Sequence, residues 1–164
     1  MSIDLALLVI RLMVGLAVAA HGAQKLFGSF GGPGLQGLTG WLASIRLRPA
    51  ALWAFLAGAS EFFGGILMAL GLLGPAGALG VIAAMAVAII AAHWGSFFST
   101  KNGMEYPLTL LVVALATIIS GPGAYSLDAL FGLTYPEPLT SLGGLVLVII
   151  GVALTFGTRA PASA

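Results

Sequence analysis

The sequence predicts an all-α membrane protein. Five transmembrane helices make a single domain over residues 1–164, with an interfacial or re-entrant helix at about 35–45. Three observations predict it. First, 60% of the residues are hydrophobic and 7% are charged, with a mean hydropathy of +1.12. A soluble domain carries about 25% charged residues, so this chain cannot cover a soluble surface. Second, five apolar segments approach the roughly 20 residues that cross a bilayer. Third, the Lys and Arg residues between those segments segregate to one side, as membrane topology requires.

The segments run at about 4–27, 50–73, 76–98, 105–121 and 140–157. The first lacks a basic n-region, and its apolar run continues past Ala17-Val18-Ala19 to Phe27 with Arg11 inside it. It reads as a transmembrane helix and not as a secretory signal. Gly28 through Gly34 breaks it. Leu35, Leu38, Trp41, Leu42 and Ile45 then recur at helical spacing, which predicts the interfacial or re-entrant helix. Gly74-Pro75 separates the second and third segments, and Lys101-Asn-Gly103 turns into the fourth. Pro107 suits a first helical turn. The connection 122–139 is polar and punctuated by Pro122, Pro136 and Pro138. The fifth segment is weakened by Gly143, Gly144 and Gly151. With five spans, Lys25, Arg46, Arg48, Lys101 and Arg159 share one side, opposite Asp4, Asp128 and Glu137. That places the N-terminus outside and the C-terminus inside.

Composition excludes several functions. A net charge of +1 gives no electrostatic basis for nucleic-acid binding. The absence of Cys excludes disulfides, thiol exchange and thiolate metal sites in this chain. No P-loop or nucleophile elbow is present, and the Gly-rich run after Phe27 follows a helix where a dinucleotide site needs a strand.

Charges inside a membrane are costly and mark function by default. Arg11 lies about 10 Å below the outer face and Glu61 about 16 Å above the inner face, counting helical rise. These depths nearly coincide in a core about 30 Å thick. Gly15, Val18, Gly22 and Lys25 lie within about 40° of Arg11 on the helical wheel, and Ala54, Ala57, Gly58, Gly64 and Gly65 within roughly 60° of Glu61. Small residues on both faces permit close approach. The expectation is an intramembrane ion pair, Arg11 with Glu61, serving either helix register alone or chemistry.

A second group sits at the inner level: His21, Lys25, His93, Glu105 and Tyr106. It is the candidate ligand site. Lys25 or His93 would donate a hydrogen bond to a quinone carbonyl, and His21 or Glu105 would move a proton. His21, His93 and Glu105 also have the composition of a two-His, one-carboxylate metal site. Against both stands a simpler reading: an interfacial belt with a snorkelling lysine and a capping glutamate. A haem clamped between the two histidines is disfavoured, because both sit at one end beside Lys25.

These residues resemble the DoxX family of small bacterial membrane proteins. The matching stretches are Arg11-Leu-Met-Val-Gly15, His21-Gly-Ala-Gln-Lys-Leu-Phe27 with Phe30-Gly-Gly-Pro-Gly34, and Glu61-Phe-Phe-Gly-Gly65. His93 with Gly95-Ser-Phe-Phe98, Tyr106 in Glu105-Tyr-Pro107, and Gly121-Pro-Gly-Ala-Tyr-Ser-Leu-Asp128 complete the pattern over about residues 5–130. The resemblance implies a four-helix transmembrane bundle core, to which 140–157 adds a fifth C-terminal helix. It also implies quinone-linked redox or oxidative-stress biology, with a redox-enzyme partner subunit. The leading expectation is therefore a membrane subunit of such a system, an accessory to a quinone-linked oxidoreductase, binding quinone or a partner at the inner-leaflet cluster. The alternatives are a small-molecule transporter or lipid-binding protein, which at this size requires a homo-oligomer, and a scaffold without a catalytic site.

Overall fold

The computed structural model describes residues 3–161. Met1, Ser2 and residues 162–164, the ends of the predicted domain, lie outside the described residues. Among the described residues seven α-helices follow in order: α1 Ile3–Phe27, α2 Gly34–Ser44, α3 Ala50–Leu70, α4 Ala76–Ala88, α5 Glu105–Ser120, α6 Leu127–Phe131 and α7 Leu139–Gly157. A π-helical turn, Ile89–His93, prolongs α4. Among the described residues the extended pairing is one isolated bridge, Leu47 with Arg159.

Helices α1, α3, α7 and the continuous stretch Ala76–His93 are each long and apolar enough to cross a membrane. α5 is apolar but has 16 residues, about 24 Å of helix. It is therefore shorter than each of those four, and the expected fifth helix, α7, is longer than it. The expected third span ends earlier than residue 98: helix stops at His93, and Trp94 is extended. The second ends at Leu70, where Gly71 takes a left-handed conformation, φ 62°. Gly71 and Leu72 donate back to Met68 and Leu67, closing the helix end. The polar connection contains α6, whose N-cap Ser126 accepts from the Ala129 N–H.

α3 is the centre of the bundle. It packs on α1 along one face and on α4 along another, while α5 packs on α4. These four helices form the core. α7 lies outside it, against α4, and α2 folds across α3 and the end of α1. The main apolar core gathers Val18, Val81 and Ala114, all fully buried, with Met68, Met85, Leu110 and Ile118. A second cluster lies under α2, where Leu38, Leu42 and Leu47 cover Ala50 and Ala54.

The α1–α3 seam is built on glycine. A Cβ on Gly15 would stand 2.6 Å from the Gly65 carbonyl oxygen, and one on Gly22 would run into the Phe62 backbone. Small residues let backbones approach when lipid supplies no hydrophobic drive between helices. The same contacts define the register: Gly15 meets Gly65 and Ala69, Gly22 meets Phe62, and Gly58 meets Leu26. The antiparallel helices are thus offset along their axes. The start of α1 projects beyond the end of α3, and there Asp4 accepts from the Ala124 N–H at 2.9 Å.

Candidate functional site

The register decides which charges meet. Glu61 precedes Phe62, the residue that faces Gly22, and so lies level with the C-terminal half of α1. Its Oε1 pairs with the Lys25 ammonium. The expected Arg11–Glu61 pair does not form. Arg11 lies one turn before Gly15 and is level with the end of α3, where its guanidinium packs against Gly71. Counting each residue from the end of its own span assumed flush helices; the offset between α1 and α3 moves Arg11 away from Glu61. Both cations share one face of α1, and the register brings the carboxylate to Lys25, in the last turn of that helix.

The Lys25–Glu61 pair grades from half-buried to buried. The Lys25 side chain is 27% exposed and that of Glu61 is 2% exposed. Glu61 Oε2 has no hydrogen-bond partner. One turn before Lys25, His21 Nε2 lies 3.3 Å from the Tyr106 hydroxyl of α5, and His21 Nδ1 lies 3.2 Å from Gln24 Oε1. An amide oxygen only accepts, so Nδ1 carries the proton and Nε2 accepts from the phenol. The rings meet edge to face, with centroids 5.8 Å apart. Tyr106 also lies within electrostatic reach of Glu61. His21 and Tyr106 are exposed. The site therefore runs from an exposed imidazole–phenol pair to a buried carboxylate, bridged by Lys25.

His93 and Glu105 are not part of it. His93 Nδ1 is 2.9 Å from the Asn102 carbonyl oxygen, where Asn102 is left-handed at φ 55°. Glu105 Oε2 accepts from the N–H and hydroxyl of Ser99, at 2.9 and 3.0 Å. Both shape the 94–104 turn. The metal reading of His21, His93 and Glu105 is corrected accordingly: among the described residues no three His, Asp or Glu converge as a metal site. The three share a membrane level, but two of them are consumed by local turn bonds.

A second polar centre lies at the opposite end. Arg11, 2% exposed, donates from Nη2 to the Tyr125 carbonyl oxygen at 2.8 Å, while its Nε and Nη1 are buried without partners. Its electrostatic counterpart is Asp128, also 2% exposed. Asp128 accepts from the N–H groups of Leu73 and Gly74 at 3.0 and 2.6 Å and from the Tyr135 hydroxyl at 3.2 Å. It ties α6 to the α3–α4 turn. Burial, and then the Asp128 charge, push the Tyr135 phenol above its ordinary value. Sequence reasoning missed Asp128 and Gln24 as partners. The available signals were a lone acid beside a Ser N-cap for Asp128, and the i, i+3 spacing from His21 for Gln24.

The family model for DoxX matches residues 6–94. The match takes in α1 to the π-helical turn, with Arg11, His21, Lys25, Glu61 and His93, and stops before Tyr106 and α7. No curated protein and no solved structure matches the chain. With more than half of its length under the family model and a helical bundle apolar enough for the bilayer, this chain is a multi-pass membrane protein that belongs to the DoxX family.

Proposed function

We propose that the protein is a membrane subunit of a redox or oxidative-stress system that takes a quinone headgroup beside His21, Lys25 and Tyr106, in the bacterial cytoplasmic membrane. One observation carries this reading: a buried carboxylate, Glu61, is paired with Lys25 one turn from an exposed His21–Tyr106 pair. A quinone carbonyl needs hydrogen-bond donors at the edge of an apolar region and a proton route to water. The Lys25 ammonium keeps N–H donors beyond the one on Glu61, and the Tyr106 hydroxyl becomes a donor when its proton turns from His21 Nε2 to the carbonyl. His21 accepts a proton at Nε2 and releases one from Nδ1 toward Gln24 and solvent. Phe27 and Phe62, in edge contact with centroids 5.3 Å apart, supply a neighbouring aromatic wall. Reduction of a quinone to a quinol takes two electrons and two protons; a partner oxidoreductase supplies the electrons, and this chain binds and moves protons.

The test is binding of a soluble short-chain quinone to purified protein in nanodiscs, followed by tryptophan fluorescence and equilibrium dialysis. Saturable binding is expected, weakened about tenfold in Tyr106→Phe and in His21→Ala, the effect of one lost hydrogen bond near 1.4 kcal/mol. His93→Ala leaves binding unchanged. Absence of quinone binding, with no redox phenotype in cells carrying His21→Ala and Tyr106→Phe together, sinks the proposal.

A further inference from the structure

The quinone reading leaves one apolar cavity unused. About 480 Å³ of apolar space lies between α3, α4 and α7. Its lining includes small residues, among them Ala57, Gly80, Ala84 and Gly151, and Leu47 and Trp53 stand at one end. Its lining is almost wholly apolar, and it lies on the face of α3 opposite the α1 seam. From Gly144 to Thr155 of α7 it extends about 16 Å at helical rise. That matches the roughly 15 Å of one leaflet of hydrocarbon.

Its shape selects the occupant. About 480 Å³ along roughly 16 Å of helix makes a long, narrow apolar space, the form of an extended hydrocarbon chain.

At the end marked by Leu47 and Trp53 the backbones of three arginines come together. Leu47 bridges to Arg159 through the backbone, Arg159 Nε donates to the Ile45 carbonyl oxygen at 3.0 Å, and the Ala160 N–H donates to the Arg46 carbonyl oxygen at 2.9 Å. Trp53 Nε1 donates to the Arg48 carbonyl oxygen at 3.1 Å. Arg46, Arg48 and Arg159 are thus gathered around Leu47 and Trp53. Among the described residues none of the three forms an ion pair, the one salt bridge being Lys25–Glu61. Arg48 and Arg159 are exposed. A neutral isoprenoid tail would leave these charges without a role. Clustered cations at a membrane boundary attract anionic headgroups.

We propose that this cavity holds one acyl chain of an anionic glycerophospholipid, with its phosphate at Arg46, Arg48 and Arg159. The site is independent of the quinone proposal, because Glu61 and His21 face the other side of α3. The test is native mass spectrometry of the protein released from nanodiscs of equal phosphatidylglycerol and phosphatidylcholine at low salt. Wild-type protein is expected to retain one phosphatidylglycerol with about tenfold preference, from roughly fivefold per arginine partly screened. Arg48→Gln with Arg159→Gln brings the ratio near one. Gly151→Leu fills the cavity and lowers retention of both lipids; a Cβ there meets nothing within 4 Å, so the fold is kept. Equal retention by the wild type, a preference that survives the arginine substitutions, or full retention in Gly151→Leu overturns the proposal. So does displacement of the lipid by added ubiquinone in a one-to-one exchange.

Discussion

Glu61 has one oxygen on Lys25 and one with no partner, and both are out of water. A buried charge left unpaired costs several kcal/mol. Its partner is better placed, because a half-exposed lysine can carry its ammonium to the interface on a flexible stem. The pair should therefore respond asymmetrically. Lys25→Met strands the carboxylate and should cost about 3 kcal/mol, whereas Glu61→Gln frees a lysine that snorkels and should cost less, about 1 kcal/mol. The double substitution should recover stability relative to Lys25→Met alone. Unfolding in mixed micelles of the four species closes the cycle, and equal losses for the two single variants would refute the asymmetry. Tyr135 offers a pH readout at the other end. Its folded phenol holds its proton to higher pH than an unfolded tyrosine does, through burial and then Asp128. Its contribution is thus full below pH about 10 and is lost as pH rises through the folded value. Phenolate absorbance should show a late-ionising step that disappears in Tyr135→Phe and moves toward the ordinary value in Asp128→Asn.

At the scale of elements, glycine position separates tolerance from failure. Gly15 and Gly65 face each other's helix backbone, with a Cβ at 2.6 Å or closer. Gly143 on α7 meets nothing within 4 Å. Gly15→Ala or Gly65→Ala should therefore lower stability by about 2 kcal/mol through overpacking, while Gly143→Ala should be neutral or raise it by up to about 1 kcal/mol through helix propensity. Thermal unfolding in detergent distinguishes them, and similar shifts at all three positions would show that the seam is looser than described. The same seam explains what the sequence could and could not announce. Helix existence was legible, since apolar length and Gly-Pro punctuation are local signals, and α2 emerged from the spacing of Leu35, Leu38 and Leu42. So was the crowding of small residues around Arg11 and Glu61. The axial offset of α1 and α3 was not legible, because it is set by which glycines meet, a property of two helices together. That one unknown turned a correct inference, that Glu61 must be paired, into the wrong partner, although Lys25 already lay on Arg11's face of the wheel. The grouping of His21, Lys25 and Tyr106 survived because all three sit near helix ends, where connectivity fixes the level. His93 and Glu105 shared that level, but local turn bonds to Asn102 and Ser99 claimed them, and such bonds depend on backbone conformations that spacing does not reveal.

At the scale of the molecule, the two polar centres lie at opposite ends of the core, and the helix order alternates between them. His21 of late α1 meets Tyr106 of early α5, Thr158 after α7 meets Trp53 of early α3, and Arg46 meets Ala160. These contacts gather Lys25, Arg46, Arg48, Lys101 and Arg159 at one end. Asp4, Asp128 and Glu137 gather at the other, around the start of α1 and the turn after α3. Lys and Arg resist translocation, so the basic end should be cytoplasmic. Because α7 starts at the acidic end and finishes at the basic one, residues flanking it should be accessible from opposite sides. The absence of native cysteine makes the chain its own background for labelling. Glu137→Cys should react with a membrane-impermeant maleimide on intact spheroplasts. Lys101→Cys and Ala160→Cys should react only after lysis. Reaction of Lys101→Cys and Ala160→Cys on intact cells, with Glu137→Cys protected, would invert the orientation. Labelling of Glu137→Cys and Ala160→Cys from the same side would remove α7 from the membrane, and with it the wall that closes the lipid cavity.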